Sequence, residues 1–118
     1  MDTDQAAKIL HDLLRIVVAR NGSDVFVTAG FPPAIKVDGE VIPQTERALT
    51  AEESAAMTRA LMNDRQTREF DATKECQFAI APPGIGRFRV SAFMQQGHAG
   101  CVLRRINARV PTTAELNF

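Results

Sequence analysis

Nine residues late in the chain alternate without a break. From Arg87 to Gln95, the side chains Phe88, Val90, Ala92 and Met94 fall on one side of an extended backbone. Arg87, Arg89, Ser91, Phe93 and Gln95 fall on the other. Successive side chains of a strand point to opposite faces, so this run predicts a half-buried strand with an arginine-bearing outer face. Gln96-Gly97-His98 turns the chain, and residues 100–106 return as the partner strand. The parity of that partner is open, because Cys101-Val102-Leu103 is apolar throughout and fits burial on both faces.

Charge is distributed unevenly around this hairpin. The chain is neutral overall, but its first 75 residues hold 13 acidic and 9 basic side chains. Between Cys76 and Ala114 there is no Asp or Glu, while Arg87, Arg89, Arg104, Arg105 and Arg109 all lie there. Arginines without acidic partners form a candidate anion site, since a planar guanidinium grips phosphate or carboxylate bidentately. A solvated sheet face or a subunit contact fits the same residues. Arg89 and Arg104 stand out because they sit near the middle of two strands expected to be neighbours. A mid-strand arginine must reach solvent or an anion, because burying its charge unpaired costs several kcal/mol. Arg87, Arg105 and His98 fit a rim or an interface.

The remaining elements follow from local signals. Residues 4–20 form an amphipathic helix with Ala6, Ile9, Leu10, Leu13, Leu14 and Val17 on one stripe. Asn21-Gly22 supplies its stop, both residues tolerating a left-handed backbone. A short β-rich run at 24–28 is broken by Gly30-Phe31-Pro32-Pro33. Residues 34–37 and 40–42 flank Asp38-Gly39, a dipeptide suited to a two-residue hairpin turn. Thr50 and Glu53 make a capping box for a helix reaching about residue 63 that buries Ala56, Met57, Ala60 and Leu61. Asp64 is placed to cap a second short helix, and residues 75–81 read as a strand. Helix, three strands, two helices and three strands give an α+β fold. Its sheet is antiparallel, with about six strands and with helices packed against it.

Composition removes several function classes. One domain is expected at 118 residues. A near-neutral pI and no Trp or Tyr argue against a general nucleic-acid binder. No glycine precedes a lysine, so there is no GxxxxGK phosphate loop and the fragment is not expected to be an enzyme by itself. Cys76 and Cys101 form no CxxC pair and read as buried small hydrophobes. His11 lacks neighbouring ligands for a metal site. The N-terminus lacks the features of a signal peptide, and no apolar run is long enough to span a bilayer. A cytoplasmic protein with reduced thiols is the simplest reading.

Several linked motifs carry a resemblance. Gly22-Ser23-Asp24-Val25-Phe26-Val27-Thr28-Ala29-Gly30 is followed by Pro32-Pro33 and Lys36-Val37-Asp38-Gly39. Leu61-Met62-Asn63-Asp64, Glu69-Phe70, the run from Gly86 to Phe93, and Leu103-Arg104-Arg105-Ile106 come in turn. In this order they resemble the N-terminal domain of the PilT/PilU family, the hexameric retraction ATPases of type IV pili used in twitching motility. The resemblance covers about residues 6–116. Phe26, Cys76-Gln77-Phe78-Ala79-Ile80 and Leu103-Arg104-Arg105-Ile106 lean toward the PilU branch.

The resemblance implies a PAS-like domain over residues 1–110, with 111–118 beginning a linker to a RecA-like ATPase domain. That second domain would carry the Walker motifs and use ATP and Mg. It implies that Arg89 and Arg104 reach toward nucleotide phosphate held by the ATPase domain, and that the N-terminal domain packs on the neighbouring subunit of a homohexamer. A paralogous retraction ATPase and an inner-membrane pilus platform are the further partners implied. The location would be cytoplasmic, peripheral to the inner membrane. Two other function classes compete: a stand-alone PAS-like sensor for a small acidic ligand, and a purely structural interaction module.

Overall fold

The structure, a computed structural model, describes residues 1–106 of the 118. Its first helix, α1 (Thr3–Ala19), starts at Asp2, whose carboxylate accepts from the Gln5 backbone while the Gln5 side chain returns to the Asp2 amide. The expected stripe is the buried one: Ala6, Leu10, Leu13, Leu14 and Val17 face the core, while Ile9 stays exposed. The chain then forms β1 (Asp24–Val27), β2 (Ala34–Val37) and β3 (Glu40–Pro43). Asp38 and Gly39, with φ of 51° and 78°, make the turn between β2 and β3.

Two helices follow, α2 (Ala51–Ala60) and α3 (Asp64–Thr73). Thr50 and Glu53 form the expected capping box on α2. On α3 the cap is Asn63, not Asp64: the Asn63 side chain accepts from Gln66 N, and Asp64 is the first helical residue. The α2 face also differs from expectation. Met57, Ser54 and Thr58 are fully buried, whereas Ala56, Ala60 and Leu61 are only partly so. Ser54 belongs inside because its hydroxyl donates to the Ala99 carbonyl at 2.6 Å, tying α2 to the sheet.

The chain finishes with β4 (Glu75–Ile80), β5 (Arg87–Gln95) and β6 (His98–Ile106). The β5–β6 turn is shorter than expected, only Gln96-Gly97, and His98 already pairs with Gln95. Gln96 and Gly97 both take positive φ, 53° and 78°, which matches the twist a two-residue hairpin demands.

All six strands lie in one antiparallel sheet of order β3-β2-β1-β6-β5-β4. The first and last strands are thus neighbours at its centre, and β1 joins the two hairpin groups. One face is covered. Val25, Val27, Ile35, Phe88, Val90, Cys101 and Leu103 meet the stripe of α1, Met57 of α2 and Phe70 of α3, all within one buried cluster. Each fully buried side chain of this size contributes about 1.5–3 kcal/mol. The parity of β6 is resolved here: Cys101 and Leu103 point inward, while Val102 and Arg104 point outward with Arg89 and Ser91. The linker expected from residue 107 onward lies outside the described residues.

Candidate functional site

The open face of the sheet carries a row of charge. Register places Lys36 opposite Asp24, Asp24 opposite Arg104, and Arg104 opposite Arg89. Directly opposed residues share a face, with Cβ atoms about 4.5–5.5 Å apart. Four strands therefore align three cations and one carboxylate across the sheet, a net two positive charges. Arg89 and Arg104 are both exposed and on the same side, as their strand parity predicts. Like charges directly opposed in a sheet cost about 0.2–1 kcal/mol, a cost that a bound anion offsets.

The arginines are not without an acidic neighbour. Arg104 Nε donates to Asp24 Oδ2 at 3.2 Å. Asp24 opens the expected β-rich run as the first residue of β1, and it sits beside Arg104 because β1 pairs with β6. No acidic residue lies near Arg104 in sequence, because the one it meets comes from 80 residues earlier. Arg89 makes no ion pair or side-chain hydrogen bond among the described residues. Asp24, Arg89, Ser91, Val102 and Arg104 line a shallow cleft of about 240 Å³.

The other expected site residues divide. Arg87 shares the open face, two residues before Arg89 on β5, and is exposed. It extends the basic area. Arg105 lies on the opposite face, half-buried, where its Nη1 donates to the Gly22 carbonyl at 2.9 Å and to Asn21 Oδ1 at 3.3 Å. It ties β6 to the end of α1 and does not join Arg89. His98 has the parity of Arg104 but lies six residues away along β6, about 20 Å at the usual strand rise. It belongs to a second cleft of about 270 Å³ with Phe31, Phe93 and Gln95. There the Phe93 ring lies across Gly100, where a Cβ would come within 3.3 Å of the ring.

The chemistry on this face suits an anion. Among the described residues no group of three or more His, Cys, Asp or Glu side chains is placed to hold a metal ion. Both thiols lie on the covered side of the sheet. Burial pushes Cys101 up to about 12 and Cys76 up to about 11, so neither is a nucleophile near neutral pH. No described helix is long and apolar enough to cross a membrane.

Comparison with known proteins places this chain in a family. No family model matches the chain. The type IV pilus ATPase PilU of Pseudomonas aeruginosa is 50% identical over 106 residues, covering 90% of the chain and 28% of that protein. The type IV pilus retraction ATPase PilT of the same organism is 38% identical over 107 residues, covering 91% of the chain and 31% of that protein. The pilus retraction motor PilT, solved with bound ADP, superposes with a TM-score of 0.73 at 26% identity. That match covers 84% of the chain and 30% of the motor. The chain is a PilT/PilU-family N-terminal domain. It spans about 30% of the length of these relatives. The higher identity to PilU agrees with the branch signalled by Phe26 and by the β4 and β6 motifs. Within this PilT/PilU domain, the motif running from Gly22 to Gly30 builds the α1–β1 junction and β1. The arginine motifs from Gly86 and from Leu103 build β5 and β6.

Proposed function

We propose that this domain is the N-terminal assembly and regulatory module of a type IV pilus retraction ATPase. In this reading it presents Arg89 and Arg104 to the phosphates of ATP held by a RecA-like ATPase domain. One observation carries it: two exposed, in-register arginines on the open sheet face, with only Arg104 partly neutralised. Two guanidinium groups in such a position converge on an oxyanion from adjacent strands. The helical layer covers the other face, so the arginine face is the one left to meet the second domain.

The proposed mechanism is electrostatic. ATP draws the arginine face toward the ATPase domain, and loss of the γ-phosphate weakens that attraction. The two domains then close and open as hinged bodies, and packing on the neighbouring subunit transmits the motion round a hexamer. Mg and the chemistry of hydrolysis belong to the ATPase domain. A paralogous retraction ATPase and the inner-membrane pilus platform are the partners proposed for the whole protein, which would sit at the cytoplasmic side of that membrane.

The decisive experiment replaces Arg89 or Arg104 by Ala in the full-length enzyme. A lost hydrogen bond to a charged group is worth about 1.5–3 kcal/mol, so KM for ATP is expected to rise at least tenfold in either variant. Near-normal turnover and affinity in both would overturn the assignment and leave a purely structural module. Isothermal titration of ATP into wild-type and variant rings separates those two outcomes directly.

A further inference from the structure

We infer that Asp24 is a positioning residue for the arginine pair, fixing Arg104 through Nε so that both of its terminal nitrogens remain free for an anion. The inference rests on the phosphate-contact reading of Arg89 and Arg104, and it adds a residue to that site.

Three observations carry it. The Asp24 side chain is 5% exposed and that of Arg104 is 72% exposed, so the carboxylate is the embedded partner and the guanidinium projects outward. The contact uses Nε, at 3.2 Å, the one guanidinium N–H that points back along the side chain. Nη1 and Nη2 of Arg104 make no hydrogen bond among the described residues. An anion can therefore take both terminal nitrogens without displacing Asp24. A carboxylate meant to sequester Arg104 would be expected to take a terminal nitrogen and compete with the ligand.

Local charge favours the same role. A carboxylate shielded from water needs a charged or hydrogen-bonded partner, or it is strongly disfavoured. Lys36 stands in register on the other side of Asp24, but the described residues hold no hydrogen bond between them. Arg104 is the only side chain among them that bonds the Asp24 carboxylate. The negative charge also lies on the far side of Arg104 from Arg89, where it reduces the repulsion between the opposed guanidiniums. Arg89 has no equivalent anchor among the described residues. The pair is thus asymmetric, one arginine held and the other left to choose its rotamer.

The test is steady-state ATP hydrolysis by the full-length enzyme carrying Asp24→Ala, Arg104→Ala, Arg89→Ala and the double variants with Asp24→Ala. Loss of the ion pair is expected to raise KM about three- to fivefold, with a smaller effect on kcat. In the Arg104→Ala background Asp24→Ala should add nothing, and in the Arg89→Ala background it should still raise KM. Asp24→Asn retains the shape and an acceptor for Nε and should give a smaller rise. It also serves if Asp24→Ala fails to fold. Destabilisation alone would lower melting temperatures without making the KM effect depend on Arg104. If Arg104→Ala raises KM but neither Asp24 variant does, the inference is wrong. It is equally wrong if the Asp24 effect multiplies fully on Arg104→Ala. If Arg104→Ala itself leaves KM unchanged, the phosphate reading fails first and takes the role of Asp24 with it.

Discussion

A Cβ placed on Gly22 would lie 2.6 Å from Val17 Cγ2 and 2.7 Å from the Lys36 carbonyl oxygen. That oxygen already accepts from Ser23 N at 2.8 Å, so it has little freedom to withdraw. The sequence marks Asn21-Gly22 as a helix stop, and half of that is right for the expected reason. Asn21 takes the left-handed backbone, at φ 54°, and Gly22 does not. Gly22 is small because β2 passes close to it, and a strand 14 residues away leaves no trace in a local pattern. Gly22→Ala forces the end of α1 away from β2. Overpacking of this kind typically costs about 1–3 kcal/mol, so a corresponding fall in the urea midpoint of this chain is expected. An unchanged midpoint would show that the junction adjusts freely. Asp24 escaped local reading for the same reason: its role is written in the β1–β6 pairing, not in its neighbours.

At the scale of elements, local chemistry was the most legible. Alternation along β5, the Asp38-Gly39 hairpin and the apolar stripe of α1 each depend on side-chain period or turn geometry, which the sequence states directly. Buried polar positions did not follow. Ser54 is enclosed only because its hydroxyl donates a hydrogen bond to the Ala99 carbonyl on β6. The start of α2 shows how local and longer contacts combine. Glu53 returns to the Thr50 amide at 2.9 Å and also receives both terminal nitrogens of Arg47, at 3.0 and 2.6 Å. The Arg47 hydrogen bonds first, and the Thr50 amide second, hold the Glu53 carboxyl down from 4.5 to about 2. A carboxyl depressed in the folded state adds stability that is complete above its unfolded value and disappears as pH falls through the folded one. Glu53→Gln should therefore lower the melting temperature near neutral pH. The gap from wild type should narrow between pH 4.5 and about 2 and close below that. A gap that stays constant across the window would mean that the Glu53 charge contributes nothing and only its shape matters.

At the scale of the whole molecule, the sheet order decides what the chain presents. Because β1 and β6 meet at the centre, the arginine hairpin is placed against the strand that holds Asp24, and the helices cover the other face. The order of strands cannot be read from alternation, which gives faces but not neighbours. The order of elements implied the layered antiparallel architecture, and the register supplied the charge row. The arginines of that row are open to solvent in this chain, and their exposure governs how well the domain alone can hold a nucleotide. Charges on an exposed face are screened over about 8–10 Å at physiological ionic strength. A nucleotide meeting only this face would gain two arginines and lose its own translational freedom, with no second wall to exclude water. The isolated chain is expected to bind ATP with Kd of about 1 mM or weaker. Binding should weaken further with added salt and be abolished in the Arg89→Ala/Arg104→Ala double variant. Titration calorimetry at two salt concentrations measures both effects. Submicromolar binding that persists at high salt would mean that this domain contains a complete ligand site, and the stand-alone sensor reading would then displace the ATPase-module one.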